Sequence, residues 1–80
     1  MISIHLQYFS QLRDLKGPEE LDLDPGTTVA GLLEKLYGLL PGLKQWDHCL
    51  LIAAGIEYVA RDYVLKTGDM ISLMPPVQGG

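Results

Sequence analysis

Only one stretch of this chain has the spacing of a full helix. Val29, Leu32, Leu33 and Leu36 recur at i, i+3, i+4 and i+7, which puts a single apolar stripe on one helix face. One stripe cannot bury itself, so the other apolar residues must build the surface beneath it. They read as strands. Ile2, Ile4, Leu6 and Tyr8 alternate with Ser3, His5 and Gln7, the period of a half-buried strand. Leu21 and Leu23 share one face of a short strand over Glu19 to Leu23. Cys49 to Ala53 is a continuous apolar run, the pattern of a central strand buried on both faces. Ile56 to Ala60 and Met70 to Met74 complete the set. The class is α+β, with one main helix covering one face of a sheet.

The connecting residues punctuate these elements. Phe9, Leu12 and Leu15 fall at helical spacing, so a short helix is expected between the first two strands, with Ser10 as its cap and Gly17-Pro18 as its stop. Asp24-Pro25-Gly26 is a turn, because proline presets φ and glycine accepts positive φ. Thr28 is the expected N-cap of the main helix and Gly38 its C′ residue. Leu39 to Asp47 holds Pro41 and Gly42 and reads as a loop, with Leu40, Leu43 and Trp46 packing back on the core. Ala54-Gly55 and Leu65 to Asp69 are further turns. Pro75-Pro76 ends the last strand, since neither residue can donate to a ladder. One domain over residues 1–74 and a flexible tail over residues 75–80 are expected.

Charge and composition exclude several roles. The net charge of −4 over 80 residues disfavours nucleic acid, whose phosphates need Lys and Arg. It equally disfavours docking on anionic membranes. No apolar run is long enough to cross a bilayer. Met1-Ile2-Ser3 leads straight into the alternating pattern, so no signal peptide is expected. Cys49 is the single cysteine, which suits a reducing cytoplasm, and its apolar neighbours imply a buried, inert thiol. His5 and His48 have no Cys or His partner nearby, so neither is expected to hold a metal. Asp14, Glu19, Glu20, Asp22 and Asp24 read as a solvated face around an edge strand, one that could steer the chain toward a basic partner.

The C-terminus carries the chemistry. Asp69 is the last charged side chain. Pro75-Pro76 favours an extended exit from the domain. Gly79-Gly80 lacks any Cβ and could enter a narrow channel. A Gly-Gly ending alone is an ordinary frayed terminus. Here it follows Leu73-Met74-Pro75-Pro76-Val77-Gln78, with Tyr8-Phe9-Ser10-Gln11-Leu12-Arg13-Asp14, Thr28-Val29 and Gly68-Asp69 upstream. On these residues the whole chain resembles the molybdopterin synthase small-subunit family of sulfur carriers, relatives of the thiamine sulfur carrier. It departs from the family at Gly55, where Asn is common, and at Met74, where an aromatic is common.

The resemblance implies a ubiquitin-like β-grasp with a mixed five-stranded sheet. It further implies that a ubiquitin-activating-like adenylyltransferase uses ATP to adenylate the Gly80 carboxylate. A sulfur donor protein then makes the thiocarboxylate. Gln78 and Gly79 enter a large synthase subunit in a heterotetramer of two small and two large chains, where the sulfur builds the dithiolene of molybdenum cofactor. Met74, Pro75, Pro76, Val77, Phe9 and Arg13 would contact partners. No cofactor and no metal would be bound, and the chain would have no catalytic constellation of its own. The alternatives are the thiamine thiazole carrier, a ubiquitin-like modifier joined through Gly80 to a target lysine, and a plain interaction module.

Overall fold

The structure, a computed structural model, describes residues 1–76. Five strands form one sheet: β1 (Ile2–Tyr8), β2 (Glu20–Leu23), β3 (Leu51–Ala54), β4 (Glu57–Tyr58) and β5 (Met70–Met74). Their spatial order is β2-β1-β5-β3-β4. β1 and β5 run parallel, and the other pairs are antiparallel. One helix, α1 (Val29–Leu39), lies across one face. Short 3-10 turns occupy Ser10–Leu15 and Pro41–Trp46. This is the mixed-sheet β-grasp arrangement expected, with the helical turn between β1 and β2 in place.

The core forms where the two periodicities meet. Ile4 and Leu6 of β1, Ile71 and Leu73 of β5, and Ile52 of β3 pack against Val29, Leu32, Leu33 and Leu36 of α1. Every residue of the helical stripe is essentially fully buried. Thr28 caps the helix, its hydroxyl accepting from the Gly31 amide at 3.3 Å. The next free amides are met by backbone: Val29 donates to the Tyr63 carbonyl at 3.0 Å and Ala30 to that of Arg61 at 2.9 Å. The loop before β5 thereby fixes where α1 starts.

Several local expectations are corrected. Ser10 makes no capping hydrogen bond; its φ is 56°, and Phe9 takes the cap position. Lys16, not Gly17, adopts the left-handed conformation after this turn, at φ 53°. Gly17 is small for another reason, because a Cβ there would lie 2.5 Å from the Tyr8 hydroxyl and 2.6 Å from Leu40. Gly38 does not end α1, which runs to Leu39; Leu40 ends it by leaving the helical region, at φ −129° and ψ 80°, as the residue before a proline is turned away from α. The segment after it is a 3-10 turn rather than an irregular loop, and Leu43 within it is fully buried.

The third strand starts at Leu51 rather than Cys49, and β4 is only two residues long. β5, not β3, is the central strand. Cys49 is half-exposed, not buried: it belongs to the turn leaving Trp46, whose carbonyl lies 3.4 Å from its sulfur. Glu19, Glu20, Asp22 and Asp24 are exposed around the edge strand β2, as a solvated acidic face should be.

Candidate functional site

The chain leaves the domain from the middle of the sheet. β5 is held on both sides, by β1 through pairs ending at Tyr8 with Leu73 and by β3 through pairs ending at Leu51 with Met74. Pro75 and Pro76 follow directly and are half-buried. Val77, Gln78, Gly79 and Gly80, the expected reactive arm, lie outside the described residues.

Strand parity shows what surrounds this exit. Ile71 and Leu73 face α1, so Met70, Ser72 and Met74 face the other way. The register adds His5 and Gln7 from β1, Leu51 and Ala53 from β3, and Tyr58 from β4 to that outer face. No helix covers it. Yet Ala53 and Ser72 are each only 7% exposed, because larger side chains stand around them. The Ser72 hydroxyl bonds Gln7 Oε1 at 3.4 Å. The result is a low floor with Leu51, Met70, Met74 and the 70% exposed Tyr58 standing about it. An uncovered apolar sheet face of this kind suits a protein partner.

The expected contact residues divide into two groups. Phe9 follows Tyr8 as Met74 follows Leu73, so in the parallel pair it sits beside Met74 on the outer face, 43% exposed. Phe9, Met74, Pro75 and Pro76 therefore surround the root of the arm. Arg13 does not join them. It is exposed on the 3-10 turn and lines an open depression of about 750 Å³ with His5, Gln7, Lys16, Glu19 and Glu20. Tyr58 and Leu51 do not stand out in the sequence, since their shared face with Met74 is visible only once the β3–β5 and β3–β4 registers are known.

Nearby polar groups serve the scaffold. Tyr8 points inward and donates to the Pro18 carbonyl at 2.8 Å; burial pushes its pKa up to about 12. Asp69, the last charged residue, accepts from the Lys66 amide at 2.9 Å and from the Tyr63 hydroxyl at 3.0 Å, closing the turn into β5. Among the described residues no group of three or more His, Cys, Asp or Glu side chains is placed to hold a metal ion. No helix among them is long and apolar enough to cross a membrane.

These features define a class: a small β-grasp domain whose chain leaves the sheet from the central strand, at Pro75-Pro76, beside an uncovered apolar face. The chain belongs to the ThiS family, whose model matches residues 6–80. It is 32% identical over 85 residues to the molybdopterin synthase sulfur carrier subunit of Mycobacterium tuberculosis, covering all of both chains. Among solved structures it is similar to a putative molybdopterin converting factor subunit 1 from Pyrococcus furiosus, with TM-score 0.85, 30% identity and coverage of 96% of this chain and 100% of that one. It also matches a chain in the complex of subunits 1 and 2 of molybdopterin-converting factor from Helicobacter pylori, with TM-score 0.67, 26% identity and coverage of 99% and 100%.

Proposed function

We propose that this chain is the sulfur-carrier small subunit of molybdopterin synthase and that its reactive atom is carried on the Gly80 carboxyl group. The observation that carries the reading is the departure of the chain from the central strand at Pro75-Pro76, ahead of Gly79-Gly80 in the sequence, with Phe9 and Met74 beside that point and Tyr58 on the same outer face. The full-length likeness to sulfur carrier subunits supports it.

A carboxylate is a poor electrophile. An activating enzyme joins it to AMP from ATP, releasing pyrophosphate and supplying a leaving group. A donor sulfur then displaces AMP and leaves a thiocarboxylate. The domain does no bond-making of its own: it delivers a tethered nucleophile at high effective concentration. The large synthase subunit receives the arm, and its cationic groups stabilise the anionic species there. The apolar outer face gives the adenylating enzyme and the large subunit a surface to grip, while Gln78, Gly79 and Gly80 reach into each active site in turn. ATP is a substrate of the activating enzyme, not a ligand of this domain.

The deciding experiment supplies the purified thiocarboxylate form and a synthase large subunit with the cyclic pterin precursor. Dithiolene product is expected, and deletion of Gly80 abolishes it while the fold is retained. No product, with an authentic carrier succeeding in parallel, would sink the reading. Thiazole formation instead would assign the chain to the thiamine pathway, and isopeptide conjugates to lysines would assign it as a modifier.

A further inference from the structure

Two prolines follow β5, and the ladder geometry gives each a different neighbour. Successive residues of a strand address opposite sides with their backbone groups. Leu73 addresses β1: the Phe9 amide donates to the Leu73 carbonyl at 3.1 Å. The next bond on that side of a parallel ladder would run from the amide of residue 75 to the Phe9 carbonyl. Residue 75 is proline and has no N–H. The Phe9 carbonyl is also already engaged, accepting from the Leu12 amide at 3.1 Å in the 3-10 turn.

The other side is closed in the same manner. Gly55 donates to the Met70 carbonyl at 2.8 Å, which sets the phase of the antiparallel pairs. The hydrogen-bonded pairs are then Gly55 with Met70, Ala53 with Ser72, and Leu51 with Met74. One step further the series sets Cys49 against residue 76. That residue is the second proline, and the Cys49 amide is given instead to the Trp46 carbonyl at 2.9 Å. At the rung where β5 presents a proline, β1 has passed into the 3-10 turn from Ser10 and the chain ahead of β3 is still in the turn that follows Trp46.

We infer that Pro75-Pro76 is a two-sided stop, one proline for each neighbour of the central strand. It releases the chain from the sheet at Met74. A single proline removes the donor toward one neighbour only, so on a central strand two in succession are needed to remove both, whereas an edge strand needs one. Six residues follow Met74, enough chain to span about 20 Å when fully extended. Every residue drawn back into the ladder shortens that reach by about 3.3 Å. The use assigned to this reach rests on the carrier reading; the stop itself does not.

The test compares the full chain with Pro75→Val, Pro76→Val and the double variant. Core packing ends at Leu73, so all of them should fold. Amide hydrogen exchange by NMR should show the residue-76 amide of Pro76→Val protected about tenfold over a free peptide, with cross-strand contacts to Cys49. Pro75→Val should show less protection, since the Phe9 carbonyl is occupied, and the double variant the most. Adenylation of Gly80 by the activating enzyme, measured at saturating carrier so that any change in affinity drops out, should slow in the same order. Free-peptide exchange at both new amides would overturn the stop. Protected amides with undiminished adenylation would overturn its assigned use. If the wild-type chain is not adenylated at all, the carrier reading fails and the exchange data alone decide the stop.

Discussion

Tyr37 donates its hydroxyl hydrogen to the Asp47 carboxylate, joining the last turns of α1 to the end of the Pro41–Trp46 turn. Arg61 holds the same aspartate from the loop before β5, at 3.1 Å from its guanidinium to Oδ1 and again through the Asp47 carbonyl. Three segments far apart in sequence meet at one carboxylate. The hydrogen bonds from Tyr37 and then Arg61 hold the Asp47 pKa below its usual value. The unfolded chain therefore binds more protons than the folded one in that range. Stability is fully present above the ordinary carboxylate pKa and is lost as pH falls through the lowered one. Thermal melts from about pH 7 to about pH 3 should show a falling Tm, and Asp47→Asn should flatten that part of the curve. A wild-type acid slope in the Asp47→Asn variant would show that other carboxylates carry it.

Tyr8 contributes on the alkaline side beside Tyr37, whose phenol is held above its ordinary range by burial and by its hydrogen bond to Asp47. The folded pKa of Tyr8 is raised to about 12 from the ordinary 10.0 by burial against the core. Between those values the unfolded chain loses the phenolic proton while the folded chain keeps it. Stability should then fall as pH rises past about 10. Tyr8→Phe removes the titration together with the hydrogen bond to Pro18. Denaturant midpoints for the variant should be lower than wild type near neutrality and less sensitive to pH above about 10. Equal alkaline sensitivity in both chains would assign the effect to other groups.

Two glycines should respond in opposite directions. A methyl group at Gly17 would collide with the Tyr8 ring and Leu40, which are held on both sides. Gly17→Ala should cost about 1–3 kcal/mol by overpacking. Gly38 sits inside α1 with open space around it and no positive φ. Gly38→Ala should stabilise by about 0.5–1 kcal/mol through helix propensity. Urea unfolding at constant m-value measures both, and the same sign for the two substitutions would contradict this account.

How much of the structure is legible in the sequence depends on the range of the interaction. The stripe of α1, the alternation of β1, the Thr28 cap and the Asp24-Pro25-Gly26 turn are local, and each forms as its residue types dictate. Gly38 reads as a terminator but is not one, because its surroundings are open and the real terminator is the conformation Pro41 imposes on Leu40. Cys49 reads as strand because its run is apolar, but capture of its amide by Trp46 keeps it in the preceding turn. The central place of β5 has no local signal, since it depends on residues 70–73 pairing with residues 5–8 across most of the chain. The arm and its flanking Phe9 and Met74 are legible as motif. The opposite wall of the docking face, Tyr58 and Leu51, becomes visible only with strand register.

That wall yields a sharp contrast between binding and folding. Tyr58 is 70% exposed on a two-residue edge strand, and Met74 stands at the root of the arm on the same outer face. Neither belongs to the buried cluster around α1. Exposed side chains away from special backbone positions contribute little to stability, so Tyr58→Glu should leave Tm almost unchanged. At an interface an aromatic residue on an apolar floor is a strong candidate for a dominant contact, and its loss costs about 2 kcal/mol or more. Binding of the large synthase subunit, measured by calorimetry, should weaken by about 30-fold or more for Tyr58→Glu and for Met74→Glu. Glu20→Gln, on the acidic edge strand away from the arm, should change affinity by less than about threefold, mainly through association rate and salt dependence. Wild-type affinity in both variants would move the docking surface off the Tyr58–Met74 side, with the adjoining depression lined by His5, Gln7, Met70 and Arg13 the next region to mutate.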